Sequence, residues 1–132
     1  MPLALRSTKI KIFFLVFLYC IIIGFVSWNT PNHTGPHGGS IKNAGNYFIE
    51  IKQVDKFLNA YLLDKKLKNM NNKDILGAVK YFFKDSTTFD FKLQPTNASG
   101  FTCEGLSGFS VCKVTFTVLG NSVGAKFENT AY

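Results

Sequence analysis

Residues 12–28, IFFLVFLYCIIIGFVSW, run for 17 positions without a charged side chain. No other feature so restricts what the chain can become. A helix that crosses the hydrocarbon core takes roughly 20 apolar residues, with about 17 as the lower bound. Lys11 can extend the span by snorkelling and Trp28 can sit at the interface, so the run reaches a workable length. Such a helix satisfies its own backbone hydrogen bonds, as lipid requires. A soluble core helix would carry a polar face over its roughly five turns, and this run has none. Arg6, Lys9 and Lys11 precede it with no acidic residue among them, and the next Lys or Arg is Lys42. The positive-inside bias then puts the N-terminus in the cytoplasm and residues 29–132 outside, in a single pass through the inner membrane.

A cleaved signal peptide would share the basic start and the apolar middle. Cleavage wants small residues at the −1 and −3 positions. Gly24 with Ile22 is the one tolerable pair, and it falls inside the run. A lipidated cysteine fits poorly too, because bulky Tyr19 precedes Cys20. The expectation is an uncleaved anchor.

The anchor explains part of the formal charge of +7. Three of the 15 basic residues precede the run and all eight acidic residues follow it, leaving the outer part an excess of four positive charges. That suits weak attraction to anionic headgroups or acidic partners. It is not a nucleic-acid signature. Cys20 reads as a small hydrophobe within the membrane. Cys103 and Cys112 fall in an oxidising compartment on this topology, and the eight residues between them include Gly105 and Gly108. A disulfide between the two is expected. Metal binding lacks partners, since the two histidines, His33 and His37, lie far upstream in a Pro/Gly-rich stretch.

The organisation read from these signals is a cytoplasmic stub over 1–11, a transmembrane anchor over 12–28, a flexible linker over 29–45 and an extracytoplasmic domain over 46–132. In the linker, Pro31, Pro36, Gly35, Gly38, Gly39 and Gly45 break any helix continuing from the membrane. Beyond it, Ile51, Val54, Leu58, Tyr61 and Leu62 share a face at helical spacing, which predicts a helix over about 46–68. A second helix follows, capped by Asn71 with Asp74 in its first turn and buried through Ile75, Leu76, Val79, Phe82 and Phe83. The period then drops to two: Phe89, Phe91 and Leu93 alternate with Asp90 and Lys92, and residues 109–118 form the most β-prone stretch. Gly120-Asn121 signals a hairpin to a returning strand. The expected fold is α+β: a single transmembrane helix, then two helices packed on a three- to four-stranded antiparallel sheet.

Lys65, Lys66, Lys68 and Lys73 form the densest basic cluster and are the candidate contact with a membrane or partner, although a solvated helix end would also gather lysines. Asn32-His33-Thr34 and Asn97-Ala98-Ser99 match the glycosylation sequon. Gly105-Leu106-Ser107-Gly108 lacks the G-x-S-x-G spacing of a nucleophile turn. With no metal-ligand spacing, phosphate-binding glycine motif or clustered acid–base set, the chain is expected to be non-enzymatic and to use no cofactor.

The layout of stub, anchor, linker and small cysteine-bearing domain resembles the accessory subunits of bacterial envelope machines. Pilin-like proteins also pair an N-terminal apolar helix with a C-terminal cysteine loop, here Cys103 to Cys112. This chain departs from them by having no Gly-Phe-x-x-x-Glu site before the run and by breaking the helix after it. Helices followed by an antiparallel sheet are similar to periplasmic domains of type IV secretion subunits and to cystatin-like folds. The resemblance implies a membrane-anchored subunit of a secretion or pilus-type assembly that meets other membrane or envelope proteins. The alternative is a type II membrane glycoprotein of a virus or eukaryote that binds an extracellular ligand.

Overall fold

The computed structural model describes residues 34–97 and 99–129. The expected stub and anchor and the first part of the expected linker lie outside the described residues. Among the described residues there is no helix long and apolar enough to cross a membrane.

Eight antiparallel strands form a nearly closed barrel: β1 (Ser40–Ala44), β2 (Tyr47–Val54), β3 (Phe57–Leu63), β4 (Leu76–Phe82), β5 (Thr88–Thr96), β6 (Gly100–Glu104), β7 (Val111–Val118) and β8 (Asn121–Glu128). Their spatial order is β1-β2-β3-β6-β5-β4-β7-β8. Residues 64–75 therefore carry the chain from the end of β3 past β6 and β5, and β6 later returns to pair with β3. β5 is shared between two sheets. Its first part pairs with β4, and Gln94, Pro95 and Thr96 pair with β6. β1 and β8 lie alongside one another without a ladder among the described residues, and Lys42 covers the Phe127 ring at 5.6 Å across that seam.

The expected α+β fold is overturned: the described residues contain eight strands and no helix. The stretch expected to be the first helix is the β2–β3 hairpin. Its apolar residues fit a helical face only when read across the turn at Asp55-Lys56. On either side of that turn the pattern has period two, with Ile49 and Ile51 on β2 and Leu58, Ala60 and Leu62 on β3 facing one way. Asp55 takes the left-handed turn conformation, with φ of 54°. The expected second helix is strand β4, where Val79 and Tyr81 are buried and Ala78 and Lys80 are exposed. Gly77 belongs to that strand because a Cβ there would lie 2.8 Å from Leu93 Cδ1 and 2.9 Å from Phe116 Cε1. Asn71 accepts from Lys73 N–H in a tight turn and caps no helix.

The barrel interior is filled by side chains, as eight strands allow. Phe101 packs on Phe116 with ring centroids 5.0 Å apart, and Tyr81 packs on Phe109 at 5.0 Å and Phe91 at 5.9 Å. Ile49, Leu58, Leu62, Val79 and Val114 complete a core with almost no exposure. The crossing connection is tied down by Asn72. Its side-chain amide donates to the carbonyls of Thr96, Asn97 and Gly100 at 2.9, 3.1 and 2.9 Å, binding it to the β5–β6 turn.

Residues 34–45, expected within the linker, are part of this unit. Ser40–Ala44 is β1, and residues 35–39 form a hydrogen-bonded turn before it. That turn lies on the outer face of β2 and β3 and covers Glu50, which is fully buried. The Glu50 carboxylate accepts the backbone N–H groups of His37 and Gly39, both at 2.9 Å, and faces His37 Nδ1 at 2.7 Å. The imidazole stacks on Tyr61 with centroids 3.6 Å apart and planes within 3°. Asn69 Nδ2 faces His37 Nε2 at 3.2 Å, so the network assigns the proton to Nδ1 and makes Nε2 the acceptor. The close fit needs two glycines. A Cβ on Gly35 would strike the Glu50 carboxylate, and one on Gly39 would strike the Ile51 carbonyl.

Replacing Glu50 by Ala strands the buried N–H groups of His37 and Gly39 and is expected to lower unfolding free energy by about 3 kcal/mol. Glu50→Gln keeps an acceptor for both N–H groups but turns an amide NH2 toward His37 Nδ1, and should lose less than Glu50→Ala, about 1–2 kcal/mol. Urea denaturation of the three proteins checks the order; a Glu50→Ala variant as stable as the parent would contradict it.

Candidate interaction surface

The buried groups with chemical potential are occupied within the fold. Tyr81 donates its hydroxyl proton to the Glu104 carbonyl at 3.0 Å, and burial holds its phenol well above the ordinary range. Cys103 and Cys112 are both buried free thiols, so the expected disulfide is not present in the structure. Cys103 belongs to β6 and Cys112 to β7, strands that are not neighbours in the sheet. Burial pushes each thiol up to about 11. A Tyr81 hydrogen bond pulls Cys103 the other way and the Lys42 charge does the same for Cys112. Among the described residues no group of three His, Cys, Asp or Glu side chains could hold a metal ion. His33 lies outside the described residues, and His37 belongs to the Glu50 clasp.

The four lysines singled out from sequence fall on the β3–β4 connection, in two places. Lys65, Lys66 and Lys68 surround a loop closed by Asp64, whose Oδ1 accepts Lys66 N–H at 2.8 Å and Lys68 N–H at 3.0 Å. These bonds, the one from Lys68 foremost, hold the exposed Asp64 carboxyl below its usual range. The loop borders an open depression beside Asn46 and Tyr47. Lys73 stands apart and lines a different groove. The lysines lie at a loop, not at a helix end, so a helix dipole does not account for them.

A second basic feature arises only from strand pairing. On the outer face of the β5-β4-β7-β8 sheet, Lys80 lies opposite Asp90 on one side and Lys113 on the other, and Lys113 lies opposite Lys126. All three lysines are exposed. Directly opposed residues keep their Cβ atoms about 4.5–5.5 Å apart, and like charges so placed are destabilising. The next row along the strands is Lys92, Ala78, Thr115 and Gly124, followed by Leu76, Thr117 and Ser122. The small side chains beside the lysine row leave two depressions that meet at Thr115. One, of about 860 Å³, is walled by the connection at Lys73, Ile75 and Leu76; the other, of about 340 Å³, lies between Lys113 and Lys126.

The acids of this face are Asp90, Glu128 two residues beyond Lys126, and Asp74 at the rim. None is within ion-pair distance of these lysines. Sequence reasoning missed the row, although each lysine sits between two inward-facing residues: Val79 and Tyr81, Cys112 and Val114, Ala125 and Phe127.

No family model, curated protein or solved structure matches the chain. The functional reading therefore rests on this geometry.

Both thiols have a folded-state pKa above the 9.0 of an unperturbed thiol. Their contribution to stability is then complete below pH 9.0 and is lost as the pH rises toward about 11, because only the unfolded chain releases the protons early. Urea midpoints should be level near neutrality and fall in that alkaline window; a midpoint unchanged across it would contradict the burial of both thiols. Maleimide should label neither cysteine in the folded protein and both in urea without reductant. Labelling that required a reductant would instead reveal a Cys103–Cys112 bond.

Proposed function

We propose that the protein is a non-enzymatic, single-pass membrane-anchored subunit of a bacterial envelope assembly, and that its barrel is a binding module acting through its outer surface. The observation that carries this reading is the row Lys80, Lys113 and Lys126, opposed across three adjacent strands without an ion pair. Such a row costs stability. A surface selected only for folding would alternate the signs, whereas a surface that meets a partner has reason to keep them alike. The packed interior supports the same reading. Tyr81, Cys103 and Cys112 are buried there, with Tyr81 and Cys103 directed at the Glu104 carbonyl. The apolar run at 12–28 supports the anchor by its length and its basic flank.

Extracted from its native membrane in mild detergent, the protein should migrate on native mass measurement in a complex heavier than its own protomers. A species composed strictly of this chain alone would contradict the reading. The glycoprotein alternative keeps one structural support, the exposure of Asn97 at the β5–β6 turn. Expression through a eukaryotic secretory pathway separates the two. An unmodified Asn97 there favours the envelope subunit, and glycosidase-sensitive mass at Asn97 favours the glycoprotein.

A further inference from the structure

We infer that the trough beside the lysine row is a docking site for an extended acidic segment of a partner protein. The inference rests on the binding-module reading above and gives it an occupant. Three properties of the trough point to that chemistry.

The first is charge placement. Lys113 and Lys126 line the trough on β7 and β8, Lys80 continues their row onto β4 with its Nζ 5.8 Å from the Phe82 ring centre, and Lys92 stands in the second row at the β5 end. Neighbouring strands are about 4.8 Å apart. A chain laid across β4, β7 and β8 would therefore meet a cation at each strand, with no protein carboxylate to displace from any of them. Asp90 ends the row at β5 and Asp74 stands at the far rim, which favours a segment seated over β4, β7 and β8.

The second is the floor. Ala78, Thr115 and Gly124 are directly opposed across the same three strands, and Thr117 and Ser122 flank them. Short side chains let a backbone lie low between the lysine stems. The hydroxyls can donate to carboxylates or backbone carbonyls. A planar bilayer would rest on the lysine ends and leave this floor unused.

The third is what lines the depressions. No aromatic side chain contributes to either of them. Single-stranded nucleic acid is held by bases stacked on aromatic rings, so the trough suits a carboxylate-bearing chain and not a nucleotide strand. Ile75 and the exposed Leu76 form an apolar wall at the β4 end, a seat for one apolar residue within the acidic segment.

The test uses the full chain in detergent and three labelled probes: a twelve-residue peptide rich in glutamate with one leucine, vesicles containing phosphatidylglycerol, and an oligothymidylate of similar length. Anisotropy or co-sedimentation should show the peptide as the tightest ligand, with affinity falling as salt rises. A variant carrying Lys80→Gln, Lys113→Gln and Lys126→Gln should lose at least tenfold in peptide affinity. It should melt no lower than the parent, because the substitutions remove like-charge opposition. A second variant, with Lys65→Gln, Lys66→Gln and Lys68→Gln, should bind the peptide as the parent does.

Equal peptide binding by the parent and the first variant would overturn the inference, as would loss confined to the second variant. Tighter binding of vesicles or oligothymidylate through Lys80, Lys113 and Lys126 would replace the acidic segment by that ligand. If the first variant still enters the native complex as the parent does, the inference falls and the binding-module reading stands. If no complex exists, that reading falls whatever the peptide does.

Discussion

A single buried carboxylate ties the segment before β1 to the barrel. Glu50 points out of the barrel from β2, a position that would ordinarily be solvated, yet it has no exposure because the turn at residues 35–39 lies over it. A buried carboxyl group is tolerable only when its hydrogen-bonding capacity is met. Two backbone N–H groups and the His37 ring meet it here. The same contacts place His37 against Tyr61 and Asn69, so the clasp joins the entry segment, the β2–β3 hairpin and the crossing connection. It also directs the chain into β1, which pairs with β2 over its whole length from Ser40 to Ala44.

The nearly closed barrel has a tightly filled interior. The interior is occupied by interlocking rings and branched aliphatic side chains, and Gly77 shows how little room is left, since one added carbon would meet both Leu93 and Phe116. The proposed binding is accordingly assigned to the outer surface. The face of β5, β4, β7 and β8 differs from an ordinary solvated sheet in having lysines opposite lysines. Strand register alone brings them together: positions 80, 113 and 126 are distant in sequence and consecutive in space.

The legibility of the sequence varied for physical reasons. The antiparallel strands at β7 and β8 are legible because a buried and an exposed face alternate along them, as in Cys112, Lys113 and Val114, whereas on β5 the apolar alternation marks a strand although Phe89 is exposed and only Leu93 is fully buried. The β2–β3 hairpin resembles a helix in sequence because its turn at Asp55-Lys56 has no Gly or Pro, so two strands of period two merge into one apparent helical face. β4 was misread because Leu76 and Phe82 supplied the extra apolar positions a helix would need, although Leu76 is largely exposed. The Gly-rich stretch before β1 looked like a tether, but at Gly35 and Gly39 glycine serves close packing against Glu50 and the Ile51 carbonyl. The clasp could not be inferred, because nothing local links His37 to a glutamate 13 residues on. Of the candidate surface, the lysine-rich connection was visible as composition. The opposed lysines were not, because they exist only once the register does.

The segment before β1 is an integral part of the barrel, fixed by Glu50. Amide hydrogen exchange at His37 and Gly39 tests this most directly, since both donate to the buried carboxylate. These two amides should exchange slowly, in step with those of the central β2–β3 ladder, and Glu50→Ala should release them first. Exchange at the rate of an unstructured Gly-rich chain in the unsubstituted protein would contradict it.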